Sequence, residues 1–267
     1  MIPKIIHYCW FGGNPLPELA QKCIASWKKF LPDYEIKEWN ESNYDVRKIP
    51  YIAQAYDAKK YAFVSDYARF DILYQYGGVY FDTDVEVIKD LHPIIERGAF
   101  IGVEKGKKPL LNAGLGIASP AASEIYREIL DSYKSEQFLK EDGSLNLKTV
   151  VERVSEIFAK YGFVEEDCFQ NIADTTIYPS DFFCPKDFIS GELKITENTH
   201  TIHHYDGSWV DSYHKKLNEN LAVIYCRFGK NVFSRILTYV YAGFYRLKNT
   251  GLKETLSYYL KGSRNEY

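Results

Sequence analysis

Residues 65–84 combine a helical pattern, a double glycine and a strand pattern that carries two aspartates. Apolar residues recur at helical spacing through the first half, so Asp66 and Arg69, three positions apart, share the opposite polar face. Gly77 and Gly78 end the helix, because glycine adopts the left-handed backbone that helix C-termini commonly need. We therefore expect a helix, a tight turn and a strand, with one polar helix face available to a ligand.

The strand pattern after the glycines places acidic side chains together. Side chains of an extended strand alternate between its two faces, so Asp82, Asp84 and Glu86 are expected to point the same way. Carboxylates of residues two apart on a strand lie roughly 7 Å from each other. Such a pair can hold a hard divalent cation, directly or through water.

The flanking segments predict an α/β fold. An apolar run over residues 2–10 is followed by Gly12, Gly13 and Pro15, which end the predicted strand. Helical spacing comes next, and a second strand pattern covers 34–39. This order of strand, helix and strand indicates a parallel crossover unit. The region 168–195 shows no clear periodicity and is predicted to be irregular. Further strands are predicted at 84–88, 100–103, 111–118 and 199–205, and helices near 51–60, 121–133 and 147–161.

The charge is distributed unevenly. The chain has a net charge of −3, but residues 225–264 contain eight Lys or Arg against a single acid, Glu254, so this segment carries +7 and the rest −10. The overall charge argues against a nucleic-acid-binding protein. The segment also has an apolar helical face between Val232 and Leu247, which fits an anionic membrane surface, packing on its own domain, or a homodimer contact. We predict a catalytic domain at 1–225 and a basic amphipathic helical extension at 226–267.

The expected location is the cytoplasm, with the inner face of the cell membrane as a further option. Five cysteines form neither a CxxC pair nor an even framework, which favours a reducing compartment. The first ten residues lack the apolar core of a signal peptide, and no apolar run approaches the roughly 20 residues that cross a bilayer.

Several common motifs are excluded. A calcium loop starting at Asp82 would need glycine where Val87 stands and glutamate where Pro93 stands. The glycines at 114 and 116 do not open a dinucleotide-binding helix, and no P-loop sequence is present. Asn112 could instead present its amide to a hydroxyl-rich ligand. His203 and His204 face opposite ways on a strand, so at most one of them is expected to join a metal site, and the other is expected to pack or form hydrogen bonds.

Four motifs in order resemble those of DXD-containing sugar transferases of glycosyltransferase family 32, which includes bacterial capsule-synthesis enzymes and, more distantly, fungal mannosyltransferases. They are IPKIIHYCWFGG, SDYARFDILYQYGGVYFDTDVEV, NAGLGIASP and THTIHHYDGSW. The pattern is also similar to the catalytic domain of the large glucosylating toxins. The resemblance covers roughly residues 1–210 and implies a Rossmann-like α/β fold of GT-A type.

The resemblance implies roles for particular residues. Asp66, Arg69 and Asp82 would be the catalytic residues that hold ribose and sugar. Asp84 and His204 would bind Mn²⁺ or Mg²⁺, with Asp82 contributing through water. The toxins have an acidic residue at the late metal position, so His203 and Asp206 remain alternatives ranked below His204. The remaining substrate-binding residues would be Trp10, which stacks on the base, together with Asn112, Ser208 and Trp209.

The resemblance implies a retaining, metal-dependent transfer of a hexose from a UDP- or GDP-sugar to a glycan or lipid-linked acceptor, as in capsular or other surface polysaccharide synthesis. The sequence offers no enzymic nucleophile, which favours attack by the acceptor on the face from which the diphosphate leaves. Two alternatives stay open at this point: a glycoside hydrolase, which also uses paired carboxylates, and a non-enzymatic sugar-binding module.

Overall fold

The computed structural model describes residues 1–106, 108–188, 190–207, 212–229 and 231–252. Strands and helices alternate through the first half of the chain. The strands are β1 (Ile5–Cys9), β2 (Glu35–Trp39), β3 (Gly78–Tyr80), β4 (Val85–Val87), β5 (Ala99–Lys105), β6 (Pro109–Ser119), β7 (Gln170–Ile172), β8 (Thr175–Tyr178) and β9 (Thr201–His203). The helices are α1 (Glu18–Phe30), α2 (Pro50–Asp57), α3 (Tyr61–Tyr76), α4 (His92–Ile95), α5 (Glu124–Lys134), α6 (Val150–Ala159), α7 (Ser180–Phe183), α8 (Ser212–Phe228) and α9 (Val232–Thr250).

A mixed sheet of seven strands, in the order β2-β1-β3-β6-β5-β8-β7, forms the centre of the fold. Its first three strands are parallel and are joined by crossover helices, which is the Rossmann-like arrangement. Strand β6 runs antiparallel to both β3 and β5. Apolar clusters cover both faces of the sheet. The predicted α/β fold with a Rossmann-like arrangement is confirmed.

The prediction of irregular structure at 168–195 is wrong. The segment contains the β7–β8 hairpin and the short helix α7. Each of these elements spans only three or four residues, which is too short for a period of 2 or 3.6 to emerge from the sequence.

The turn between α3 and β3 is held by a buried histidine. His7 Nε2 donates to the carbonyl of Gly77 at 2.9 Å, while its Nδ1 accepts from Trp39 Nε1 at 3.1 Å. Burial lowers the pKa of His7 to about 4, so the ring is neutral at physiological pH. A side chain at Gly78, whose φ is 105°, would place its Cβ 2.7 Å from the Ile5 carbonyl. The close strand pairing explains why this position is glycine.

The polar face predicted for α3 is not open to solvent. Arg69 is only 3% exposed, and α3 packs beneath α5 and against the sheet. The helix therefore directs Asp66 and Arg69 toward the interior of the site instead of toward bulk water.

The contacts divide the chain into two compact units. One comprises residues 1–186 and 193–209, and the other comprises 187–192 and 210–267. The boundary predicted between 225 and 226 stays a prediction. No helix in the described part of the chain is both long enough and apolar enough to cross a membrane.

Candidate active site

The two aspartates of the DxD sequence lie in a turn between β3 and β4. Strand β3 ends at Tyr80, and the amide of Val85 donates to the carbonyl of Asp82 at 3.0 Å, which closes the turn. The prediction of one continuous strand through both aspartates is therefore wrong. The turn still brings the carboxylates together. Ligand atoms of Asp82, Asp84 and His203 all lie within 4.8 Å of one another.

Asp84 is the most firmly held member of this group. One carboxylate oxygen accepts the amide N–H of Asp206 at 2.9 Å, and the other lies 3.2 Å from His203 Nε2. Burial opposes ionisation of Asp84, but His203 and the Asp206 amide outweigh it and hold the pKa of the carboxyl well below its usual range. Conversely, the nearby carboxylate raises the pKa of His203 although burial acts to lower it.

Strand pairing explains why His203 reaches this position. Strand β9 runs antiparallel to β4, and the register sets His203 directly opposite Val85. Cross-strand partners are separated by about 5 Å, so the imidazole lies beside the turn that holds Asp84. Among the residues that the structure describes, the buried Nδ1 atom of His203 has no hydrogen-bond partner, and the ring packs against Tyr205 with 4.2 Å between ring centroids.

Arg69 connects helix α3 to the DxD turn. Its guanidinium lies 2.8 Å from Asp66 Oδ1 and 3.2 Å from Asp82 Oδ1. Tyr80 also donates its hydroxyl to Asp82 at 3.1 Å. Burial raises the pKa of Asp66 to about 6 and raises that of Asp82 above its ordinary value, although Arg69 opposes both shifts. The structure thus brings together the three residues predicted to be catalytic.

A glycine leaves room for the Asp82 carboxylate. A Cβ added at Gly114 would lie 2.4 Å from Asp82 Oδ2 and 3.0 Å from Asn112 Oδ1, closer than real contacts allow. Strand β6 passes beneath the DxD turn here, because Tyr80 pairs with Ile117 in the antiparallel ladder. Only a residue without a side chain permits this approach.

Asn112 belongs to a polar network at the same sheet edge. Its amide nitrogen donates to Glu104 at 2.6 Å and its oxygen accepts the amide of Gly114 at 2.7 Å. Tyr205 donates its hydroxyl to the other oxygen of Glu104 at 3.1 Å. The amide therefore supports the loop around the site, and its predicted contact with substrate stays a prediction.

His204 is placed apart from the carboxylate cluster. Its Nε2 lies 2.8 Å from Glu86 Oε2, and Lys22 binds the same carboxylate at 2.9 Å. Glu86 was expected to point the same way as the two aspartates, but the turn interrupts the alternation and Glu86 joins this separate ion pair. The structure brings Asp84 together with His203 instead of His204.

Of the remaining predicted residues, the structure describes Trp10 and Asp206. Trp10 follows β1 at the same sheet edge, is partly buried, and donates its indole N–H to the Asn14 carbonyl at 2.6 Å. Asp206 contributes its backbone amide to Asp84. Ser208 and Trp209 lie outside the described residues, so their predicted roles stay predictions.

Sequence reasoning did not identify Tyr80, Gly114, Glu104 or Tyr205 as parts of this site. The Asn-Ala-Gly spacing is the signal for Gly114, since glycine in a strand can mark the close approach of another segment. Tyr80 lies two residues before Asp82, on the same side of an extended chain, so its contact was within reach of the sequence. The contact between Tyr205 and Glu104 joins segments 101 residues apart, so no local pattern reports it.

The cluster has the donors that a hard divalent cation uses. Two carboxylates and one imidazole within 4.8 Å match the oxygen-rich ligand sets of Mg²⁺ and Mn²⁺, with the imidazole better suited to Mn²⁺. A neutral His203 would offer its Nε2 atom to a metal from the side on which it faces Asp84.

Comparisons with known proteins show similarity in the same region. Residues 17–101 match the family described as glycosyltransferase sugar-binding region containing DXD motif. Inositol phosphoceramide mannosyltransferase 3 of Schizosaccharomyces pombe is 34% identical over 104 residues, which are 38% of this chain and 29% of the relative. The uncharacterized glycosyltransferase L373 of Acanthamoeba polyphaga mimivirus is 27% identical over 157 residues, 55% of this chain and 60% of the relative.

The solved structure titled PaToxG Glycosyltransferase aligns with a TM-score of 0.48 and 20% identity, covering 60% of this chain and 69% of that one. The chain spans less than two thirds of the length of both relatives named above. The matched family region contains Asp66, Arg69, Asp82 and Asp84. Residues 17–101 are therefore similar to glycosyltransferase sugar-binding regions that contain the DXD motif, which confirms the resemblance predicted from the sequence.

Proposed function

We propose that the chain is a metal-dependent, retaining glycosyltransferase that moves a hexose from a nucleotide diphosphate sugar to a glycan or lipid-linked acceptor. Synthesis of capsular or other surface polysaccharide is the process we favour. The observation that carries the proposal is the cluster of Asp82, Asp84 and His203, because two of its three ligands lie in the matched family region. Paired carboxylates alone would not distinguish a transferase from other sugar-acting proteins.

We propose Asp84 and His203 as the protein ligands of Mn²⁺ or Mg²⁺, with Asp82 beside them. A divalent ion held there would neutralise the charge that develops on the diphosphate as the sugar departs. The Asp206 amide and the His203 ring fix the Asp84 carboxylate from two sides, so the ligand is oriented before any ion arrives.

The donor sugar is proposed to lie against Asp66, Arg69 and Asp82, with the base on Trp10. The three side chains contact one another and present carboxylate oxygens and guanidinium N–H groups, which suits hydrogen bonding to ribose and sugar hydroxyls. We propose that the acceptor attacks the sugar on the face that the diphosphate leaves, so that the anomeric configuration is retained.

GDP-mannose is the first donor to test, because a relative bears the name mannosyltransferase. UDP-glucose, UDP-galactose and UDP-N-acetylglucosamine form the rest of the panel. In the presence of Mn²⁺ we expect slow hydrolysis of one nucleotide sugar and a thermal stabilisation by its nucleotide diphosphate, and we expect EDTA to remove both.

This panel also separates the alternatives. A sugar-binding module would bind the free sugar without the nucleotide, and a glycoside hydrolase would cleave an aryl glycoside in EDTA. Absence of metal-dependent binding by every nucleotide tested would contradict the proposed function.

The proposal that His203 and not His204 binds the metal can be tested with a matched pair of variants. His203→Gln should weaken Mn²⁺ binding by about ten- to a hundredfold, because it removes a ligand from the cluster. His204→Gln should leave Mn²⁺ binding within about twofold, because that ring pairs with Glu86. Isothermal titration with Mn²⁺ measures both affinities. The reverse order would restore His204 as the ligand.

A further inference from the structure

Helix α9 has its polar and apolar faces reversed relative to an ordinary surface helix. Ser234 is fully buried and Thr238 is 7% exposed, and the Thr238 hydroxyl lies 3.2 Å from the hydroxyl of Tyr225 on α8. The opposite face is apolar and exposed. It consists of Val232, Phe233, Ile236, Val240, Phe244 and Leu247, which are between 40% and 72% exposed.

The geometry of α9 gathers these side chains into one continuous surface. At about 100° per residue, the six side chains fall within an arc of about 120° along the whole helix. Isolated exposed apolar residues are ordinary, but a contiguous apolar strip of this length marks a surface that contacts something other than water. We refer to these six residues as the apolar face of α9.

The α8–α9 hairpin holds this face in a defined orientation. Asn231 caps α9 by accepting the amide of Ser234 at 2.9 Å, and Phe228 packs edge-on against Phe233 with 5.6 Å between ring centroids. Ser234 is held within the cap of α9, whereas Thr238 contacts Tyr225 of α8, and rotation of α9 to hide its apolar face would break that contact.

The charges beside the apolar face indicate its partner. Helix α9 contains Arg235, Arg246 and Lys248 and no acidic residue. By helical position Arg235 and Arg246 flank one side of the apolar face and Lys248 flanks the other. An apolar centre with cations at both margins is the pattern of a helix that lies in the headgroup region of an anionic membrane.

We propose that the apolar face of α9 docks on an anionic lipid surface, with α9 lying parallel to the membrane and its basic side chains at the level of the headgroups. Self-association through the same face is less favourable electrostatically. A symmetric contact would set the basic margins of two copies against each other, and α9 itself contains no acidic residue. The proposal goes beyond the proposed transferase activity and does not depend on it.

Flotation of the full chain with vesicles tests the proposal. We expect the protein to float with vesicles of phosphatidylcholine and phosphatidylglycerol, to bind vesicles of phosphatidylcholine alone much more weakly, and to lose most binding in high salt. Phe233→Ser with Phe244→Ser should reduce partitioning into anionic vesicles by tenfold or more, on the order expected for losing two buried aromatic side chains. The matched control is Leu139→Ser with Val164→Ser, two side chains that are each 50% exposed elsewhere and should not change binding.

Substitutions of basic residues on α9 test whether charge contributes to membrane binding. Arg235→Gln and Lys248→Gln should each reduce binding to the anionic vesicles by about fivefold. Lys28→Gln with Lys140→Gln, both exposed and far from α9 in sequence, should have no effect. Circular dichroism melting of every variant verifies that the fold is retained.

Two results would overturn the proposal. One is failure of the full chain to float with anionic vesicles. The other is a dimer, seen by light scattering, that the Phe233→Ser and Phe244→Ser variant dissociates while vesicle binding stays unchanged, which would assign the apolar face to a second copy of the chain. Donor hydrolysis measured without membranes reports on the active site separately, so loss of one property is distinguishable from loss of the other.

Discussion

Replacing Asp84 by asparagine is expected to reduce metal-dependent donor hydrolysis by about a hundredfold or more. The carboxylate is held by the Asp206 amide and by His203, and it is the residue best placed to bind the ion. Asparagine preserves the shape but removes the charge that a divalent cation requires. Initial rates of nucleotide-sugar hydrolysis over a range of Mn²⁺ concentrations measure the effect.

The same substitution should also lower the free energy of unfolding of the metal-free protein by about 1–2 kcal/mol. The Asp84 side chain is only 18% exposed, and its lowered pKa means that the ionised form stabilises the folded state.

Glu86→Gln is the matched control for Asp84→Asn. Glu86 is equally exposed at 18%, lies two residues further along the chain, and also pairs with a histidine. We expect a similar small loss of stability but donor hydrolysis within about threefold of the unmodified protein, because Glu86 is outside the carboxylate cluster. Equal loss of hydrolysis in both variants would show that stability, and not metal binding, explains the Asp84 result.

Gly114→Ala is expected to reduce donor hydrolysis by about tenfold to a hundredfold with little change in stability. The new Cβ would lie 2.4 Å from Asp82 Oδ2, so the carboxylate must rotate away from its contacts with Arg69 and Tyr80. Displacing a reacting or ligand group by about 1 Å commonly costs this much in rate. Gly114 does not have a positive φ, so alanine causes no backbone strain of its own.

Gly106→Ala provides the comparison, since the nearest heavy atom to a Cβ there is 3.6 Å away. It should leave both hydrolysis and the melting temperature unchanged. The expected signature of Gly114→Ala is a large loss of activity with a shift in melting temperature similar to that of Gly106→Ala. Unchanged hydrolysis in Gly114→Ala would mean that the position of Asp82 does not matter for the reaction.

The sequence was sufficient to predict the elements that show a clear period. The first strand, helix α3 with its Gly77 stop, and the crossover to β2 all follow from apolar spacing and turn residues, and the structure confirms them. The proximity of Asp66, Arg69 and Asp82 was also predictable, because a helix and the strand after it meet at one sheet edge.

The details of the site depend on contacts between distant segments. Whether His203 or His204 meets Asp84 is decided by the register of β9 against β4, and a shift of one residue would exchange them. The closeness of Gly114 to Asp82 likewise depends on how β6 pairs with β3. The tight turn at Asp82 replaced the expected strand because the chain must leave the central sheet there to form the separate pair with β9.

Arg69 contacts two carboxylates at once, and this affects how a ligand can replace either contact. Its guanidinium is shared between a carboxylate on a helix and one on a loop. A hydroxyl group that takes over either contact leaves the cation neutralised by the other, so no uncompensated positive charge is stranded away from solvent at any stage. A polar ligand can therefore bind and leave by replacing one hydrogen bond of Arg69 at a time, without prior unfolding of the surrounding structure.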